Sequence, residues 1–163
     1  MKKALLSILL LTFFFVSFAQ VKCNIKKAYA YYTVNVPGVQ MVDENGNPVP
    51  PVPQIERFIY LEWKGSKKPE IETVYYDTSS LTMALTKVEG SSVSVGEKWA
   101  NNQPFTIKSA KGYSLWKIEA YPVEGKIPVA TDCKNILLKI KSAGKSCAYK
   151  ILKESQVLGI PRY

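Results

Sequence analysis

The sequence predicts an all-β fold, a single antiparallel β-sandwich. Three observations lead there. Apolar and polar residues alternate with a period of two in segment after segment, and no useful length carries apolar residues at helical spacing. These segments are short and are separated by Gly-, Pro- and Asn-bearing turns, the spacing usual for sandwiches and barrels. Their composition is rich in Tyr, Trp, Val, Ile and Thr, which suit a pleated, half-buried surface.

The first nineteen residues are expected to lie outside the fold. Met1-Lys2-Lys3 is a basic start, Ala4 to Ala19 is apolar, and Ser17-Phe18-Ala19 places small residues before a cut at Gln20. That is the pattern of a secretory signal peptide, and the apolar run is shorter than the ~20 residues that span a bilayer. The expected organisation is therefore residues 1–19 as signal peptide and 20–163 as one β domain. No second spanning segment follows, so the expected product is exported: periplasmic, secreted or attached to the outer surface.

The strands follow in order. Ala28–Val36 is rich in Tyr, Val and Thr. Ile55–Lys64 sets Ile55, Ile59, Leu61 and Trp63 on one face, with Arg57 as the exception on that face. Glu70–Tyr76 comes after the Gly65–Pro69 connection. Leu81, Met83 and Leu85 alternate with Thr82, Ala84 and Thr86. Phe105–Ala110 and Tyr113–Tyr121 flank Lys111-Gly112, which has the composition of a tight hairpin turn. On the second of these, Trp116, Ile118 and Ala120 face one way. The last pair is Asn135–Lys141 and Cys147–Lys153. About eight strands result. The runner-up arrangement is an eight-stranded up-and-down barrel around a ligand cavity, although the Gly-x-Trp opening of lipocalin-like barrels is absent. Five of the ten prolines fall between Pro37 and Pro53, which marks a long edge loop. Within it, Asp43-Glu44-Asn45-Gly46-Asn47-Pro48-Val49 is similar over seven residues to the Asp-x-x-Gly-x-Pro turn of extracellular β-sandwich modules. The loose expectation for the domain is an immunoglobulin-like arrangement.

Export permits disulfides, and the three cysteines are Cys23, Cys133 and Cys147. Pairing the last two strands by their apolar faces sets Ile140 opposite Cys147, Leu138 opposite Tyr149 and Ile136 opposite Ile151. Cys133 then lies roughly 23 Å from Cys147, at about 3.3 Å per residue. A disulfide requires Cα atoms within about 7 Å. The bridge is therefore expected to use Cys23, with Cys133 or Cys147 as its partner. The looser setting of Cys133 favours it slightly. The leftover cysteine is expected to be a small buried hydrophobe.

The chain contains no His, which excludes Ser-His-Asp and Cys-His catalysis and His-ligated metals. Other catalytic look-alikes lack a second requirement. Gly144-Lys145-Ser146 follows an apolar strand, but the P-loop's first Gly would fall at Lys139 and the segment that follows reads as strand. Ser142–Lys145 and Ser114–Lys117 match Ser-x-x-Lys without its companion motifs. Asp43, Asn45 and Asn47 open like a calcium loop, but Pro48 and Gln54 stand where Gly and Glu are needed. Glu56 and Glu62 lie about 20 Å apart along one strand. Glu70 and Glu72 share an exposed face. No cofactor, metal or catalytic residue is expected.

The net charge is +9, and it falls to +7 when Lys2 and Lys3 leave with residues 1–19. Only Arg57 and Arg162 among the remaining basic residues are Arg, which argues against nucleic-acid binding. Lysines suit exposed strand edges and polyanionic surfaces. Amphipathic aromatics are the better binding candidates. The expected contact residues are Tyr29 and Tyr31 on one strand face, Asp43 and Asn45 in the loop, Trp63, and Tyr163 in the apolar tail Val157–Tyr163. The expected function is an exported, non-catalytic binding protein whose partner is a protein or glycan of the cell envelope. The alternatives are a carrier with an internal apolar cavity and, third, a carboxylate-based hydrolase.

Overall fold

The computed structural model describes residues 23–35, 38, 41–49, 54–65, 67–98, 103–122, 133–142 and 144–158. The expected signal peptide, the residues around Pro50–Pro53 and the tail from Gly159 to Tyr163 lie outside them. Among the described residues no helix is long and apolar enough to cross a membrane.

Among the described residues every element is a strand: β1 (Ile25–Asn35), β2 (Met41–Val42), β3 (Pro48–Val49), β4 (Gln54–Trp63), β5 (Glu70–Tyr76), β6 (Ser79–Lys87), β7 (Ser92–Lys98), β8 (Pro104–Lys108), β9 (Ser114–Tyr121), β10 (Ile136–Ser142), β11 (Lys145–Ile151) and β12 (Glu154–Leu158). Ten of them form one sheet in the order β11-β10-β5-β6-β9-β4-β1-β12-β7-β8, and β2 and β3 form a small separate hairpin. All pairs are antiparallel except β1–β12, which is parallel. The all-β expectation holds. The arrangement differs from the expected one: a single mixed sheet replaces two separate immunoglobulin-like sheets, and it does not close into the alternative barrel.

The single sheet still makes two layers, because it folds over both of its own faces. β11 and β12 stand seven places apart in the strand order, but Ile151 and Glu154 are separated only by Leu152 and Lys153. So few residues span about 10 Å at most. The β11 end of the sheet must therefore curl back towards β1 and β12. Ala30, Ile59, Leu61, Trp116, Ile118, Val74, Tyr76, Leu138 and Ile140, drawn from five strands, form one core inside this coil. On the opposite face, the β7–β8 hairpin covers β1, β4 and β9. Its Val95 and Ile107 join Tyr31, Phe58, Tyr60, Leu115 and Val157 in a second core. The rings of Tyr31 and Phe105 lie 5.5 Å apart across this layer. The strand β4 is shared by both cores, so every residue from Arg57 to Trp63 is buried.

The coil is fastened at both ends. Near the start of β1, Cys23 is bonded to Cys147 of β11. This corrects the slight preference for Cys133, which retains its thiol and packs partly buried against the inner core. The strand register Ile140–Cys147, Leu138–Tyr149 and Ile136–Ile151 is as expected. It puts Cys147 on the inward face, aimed at the segment before β1. At the other end, Arg57 of β4 forms an ion pair with Glu154, the first residue of β12. Arg57 was the exception on an apolar face, and it points into the coil with Ile59 and Leu61.

The Lys111-Gly112 turn forms as expected, with the Tyr113 N–H donating to the Ala110 carbonyl at 3.0 Å and Gly112 at a φ of 81°. The strands around it do not pair with each other, which corrects the hairpin expected there. β8 pairs with β7, and β9 lies between β6 and β4. The turn instead carries the chain from the covering hairpin down to the sheet beneath.

Candidate binding groove

The polar face of β9 and the outer face of β4 form the floor of an open groove of 870 Å³. Its lining includes Thr33, Asn35, Glu56, Ser94, Lys117, Glu119 and Tyr121, with Phe58 and Tyr60 beneath. The residues are placed by strand alternation. Leu115, Lys117, Glu119 and Tyr121 point away from the inner core, whereas Trp116, Ile118 and Ala120 point into it. In the β4–β9 register Phe58 sits opposite Glu119 and Tyr60 opposite Lys117.

The charged groups of the groove hold one another. Lys117 Nζ donates to Glu119 Oε1 at 2.6 Å and lies 5.5 Å from the centre of the Phe58 ring. The Tyr121 hydroxyl donates to Glu119 Oε2 at 2.7 Å, which raises the phenol's pKa. Tyr121 nevertheless leaves 48 % of its surface exposed. Thr33 is 6 % exposed, and its Oγ1 has no hydrogen-bond partner among the described residues.

The inner face of the same strands carries the second polar cluster. Arg57 stacks over the Tyr76 ring at 4.7 Å and the Tyr32 ring at 5.8 Å while it pairs with Glu154. Burial raises the pKa of Glu154 in spite of the guanidinium beside it. Tyr76, fully buried, has its own pKa pushed up by burial, and its hydroxyl acts on the Glu154 carboxylate. Among the described residues neither this hydroxyl nor Glu154 Oε1 has a partner of hydrogen-bond geometry. The Cys133 thiol is pushed up to about 11, chiefly by burial, against the opposing effect of Arg57. This cluster lies inside the coil and ties β4 to β12.

The residues singled out from sequence are dispersed. Tyr31 is 5 % exposed because the β7–β8 hairpin covers its face, so the strand face shared by Tyr29 and Tyr31 is not an open strip. Tyr29 is half-buried. Its hydroxyl donates to Glu62 Oε1 at 3.0 Å, and burial together with that bond lifts its pKa to about 12. The other oxygen of Glu62 accepts the Ala110 N–H at 3.1 Å, which seats the β8–β9 turn on the sheet. Trp63 is buried, and its indole N–H donates to the Lys67 carbonyl. Asp43 and Asn45 sit in the exposed β2–β3 turn. The Asp43 carboxylate accepts the N–H groups of Asn45 and Asn47, and the bonds from Asn47 hold its pKa below the usual value. Tyr163 lies outside the described residues. Glu72 accepts a bond from the Ser146 hydroxyl at the surface. Among the described residues no three His, Cys, Asp or Glu side chains converge as metal ligands.

Lys117, Glu119 and Tyr121 were legible only as the complement of the apolar face of their strand. Thr33 and Asn35 carry no local signal. They come to the groove because β1 pairs with β4, setting Thr33 beside Glu56 and Asn35 beside Gln54, and β7, a strand not anticipated from the sequence, borders them with Ser94 and Val95. The chain matches no protein-family model, and no curated protein or solved structure is similar to it.

Proposed function

We propose that the chain is an exported, non-catalytic binding protein of the cell envelope, whose protein or glycan partner docks in the outer groove. The observation that carries this reading is the groove itself. It is concave, has a volume in the range of ligand sites, and is lined by fixed polar groups around a half-exposed aromatic ring. The Cys23–Cys147 bond and the signal-like start favour an oxidising, exported setting.

A carrier with an apolar cavity has less support, because the coil interior is filled by Tyr76, Trp63 and Trp116 together with the aliphatic core. A hydrolase has less support too. Glu56 and Glu119 are diagonal neighbours in the groove, about 7–8 Å apart by strand geometry. Both stand in contact with solvent, whereas the acid of a carboxylate pair is typically set in an apolar pocket.

A photo-crosslinking amino acid placed at position 121, and separately at exposed Ala148 on β11, tests the reading in intact cells. A discrete adduct is expected from position 121 and not from position 148. Identical adduct patterns, or none from position 121, would refute it.

A further inference from the structure

The groove also carries information about what fits it. We propose that it binds an uncharged, polyhydroxylated ligand, a segment of a neutral oligosaccharide; this rests on the groove being the binding surface. Four features point this way.

First, both cations among the described lining residues are already engaged, Arg57 with Glu154 on the inner side and Lys117 in the groove itself. Lys117 is committed to Glu119 at 2.6 Å. Glu56 adds a further negative charge beside that pair, so among the described lining residues an anionic ligand meets two carboxylates and no cation that is not already engaged. A strongly cationic ligand is opposed by the protein's net positive charge, +9 for the full chain and +7 without Lys2 and Lys3.

Second, the groups present include carboxylate acceptors, an ammonium donor, an amide, hydroxyls and a phenol. A sugar hydroxyl both donates and accepts, so it can satisfy each of them without bringing charge.

Third, the Tyr121 ring offers an apolar face, 48 % exposed and held in place by its bond to Glu119. That suits the C–H face of a pyranose ring.

Fourth, the floor gives no backbone edge to an extended peptide. β4 is paired with both β1 and β9, and β9 with both β4 and β6. Strand addition at the floor is thereby blocked, and recognition must use side chains.

Thr33 adds an independent sign. Its residue lines the groove, it is more than nine-tenths buried, and its hydroxyl has no partner among the described residues. A turn of this hydroxyl towards a ligand oxygen would give it one. Thr33→Val should therefore raise the melting temperature of the free protein and weaken ligand binding, a combination that a purely structural role does not produce.

The test uses the purified protein with its disulfide intact on an array of neutral and anionic oligosaccharides. Calorimetry then follows with the strongest neutral ligand. Binding to at least one neutral oligosaccharide is expected, about tenfold weaker in Tyr121→Ala and about fivefold weaker in Thr33→Val. Binding confined to anionic glycans overturns the proposal. So does neutral binding indifferent to both variants, or an array with no binding at all. If the array is blank while position 121 still crosslinks to a protein, the groove remains the binding surface and the glycan assignment falls. If both are blank, both fall.

Discussion

Breaking the Arg57–Glu154 pair one residue at a time should cost far more than removing it whole. Arg57 and Glu154 expose 4 % and 2 % of their side chains, so removing either one takes away the opposite charge that offsets a buried ion. Such a loss costs about 3–5 kcal/mol, a large part of the roughly 5–15 kcal/mol that holds a domain together. Arg57→Met also forfeits the stacking on Tyr76 at 4.7 Å, worth about 2 kcal/mol when desolvated. Glu154→Leu alone removes the hydrogen-bond acceptor as well as the charge, which a protonated Glu154 does not, and should lose about 3–5 kcal/mol. The double variant Arg57→Met with Glu154→Leu should lie within about 2 kcal/mol of the parent, because the desolvation cost disappears with the charges. Urea unfolding of the four proteins, disulfide intact, gives the coupling directly. The pH dependence has a definite sign. The pKa of Glu154 is raised in the folded state, so the fold takes up its proton more readily than the unfolded chain does. The stabilisation from this group is complete below the unfolded glutamate pKa and is lost as pH rises through the raised value. Relative to Glu154→Gln, the parent should therefore gain stability as the solution is acidified through that window. Single losses under 1 kcal/mol that simply add in the double variant would show that the pair does not fasten the coil.

Three further outcomes follow. Non-reducing peptide mapping should find Cys23 linked to Cys147, and Cys147→Ala should cost about 2–5 kcal/mol in chemical unfolding, since the bond closes a loop spanning most of the domain. Cys133 should alkylate slowly at neutral pH, and its rate should climb only towards about pH 11; a rate that levels off near pH 8.5 would mean the thiol is not desolvated. Gly96→Ala should destabilise by at least about 1–3 kcal/mol, because Gly96 has a φ of 136° and a Cβ there would meet the Leu158 carbonyl oxygen at 2.3 Å. Thermal unfolding measures that change, and a melting point equal to the parent's would mean that β12 does not press on β7.

The local structure was legible where one face of a strand was apolar. Glu70–Tyr76 was found at its true bounds, and the pairing of β10 with β11 was found in its true register. Ile136, Leu138 and Ile140 alternate without interruption, and a one-residue slip would have turned all three to solvent. β7 and β12 were not found. Ser92–Lys98 holds only two apolar residues, and a bulge shifts the register between Ser94 and Gly96. Glu154–Leu158 begins with the charged residue that the buried Arg57 requires. The exposure of Tyr31 was misjudged for the same reason. Its face is closed by β7 and β8, and without β7 the cover had no visible source.

The overall architecture was less legible because it depends on β4 being buried twice. A strand with one wet face advertises itself by alternation. β4 presents Arg57, Ile59, Leu61 and Trp63 inward and Phe58, Tyr60 and Glu62 outward, all of them buried. Each buried charge on it therefore needs its own partner from a distant element. Arg57 takes Glu154 from β12, and Glu62 takes the Tyr29 hydroxyl and the Ala110 N–H. These long-range demands select the sheet order: β12 must lie beside β1 to deliver Glu154, and the β8–β9 turn must rest over Glu62. With those contacts made, the covering hairpin stands over one end of the outer face and leaves the other end, at Glu56, Lys117, Glu119 and Tyr121, as the groove. The charges that complicate the core of β4 thus also set where its outer face stays open.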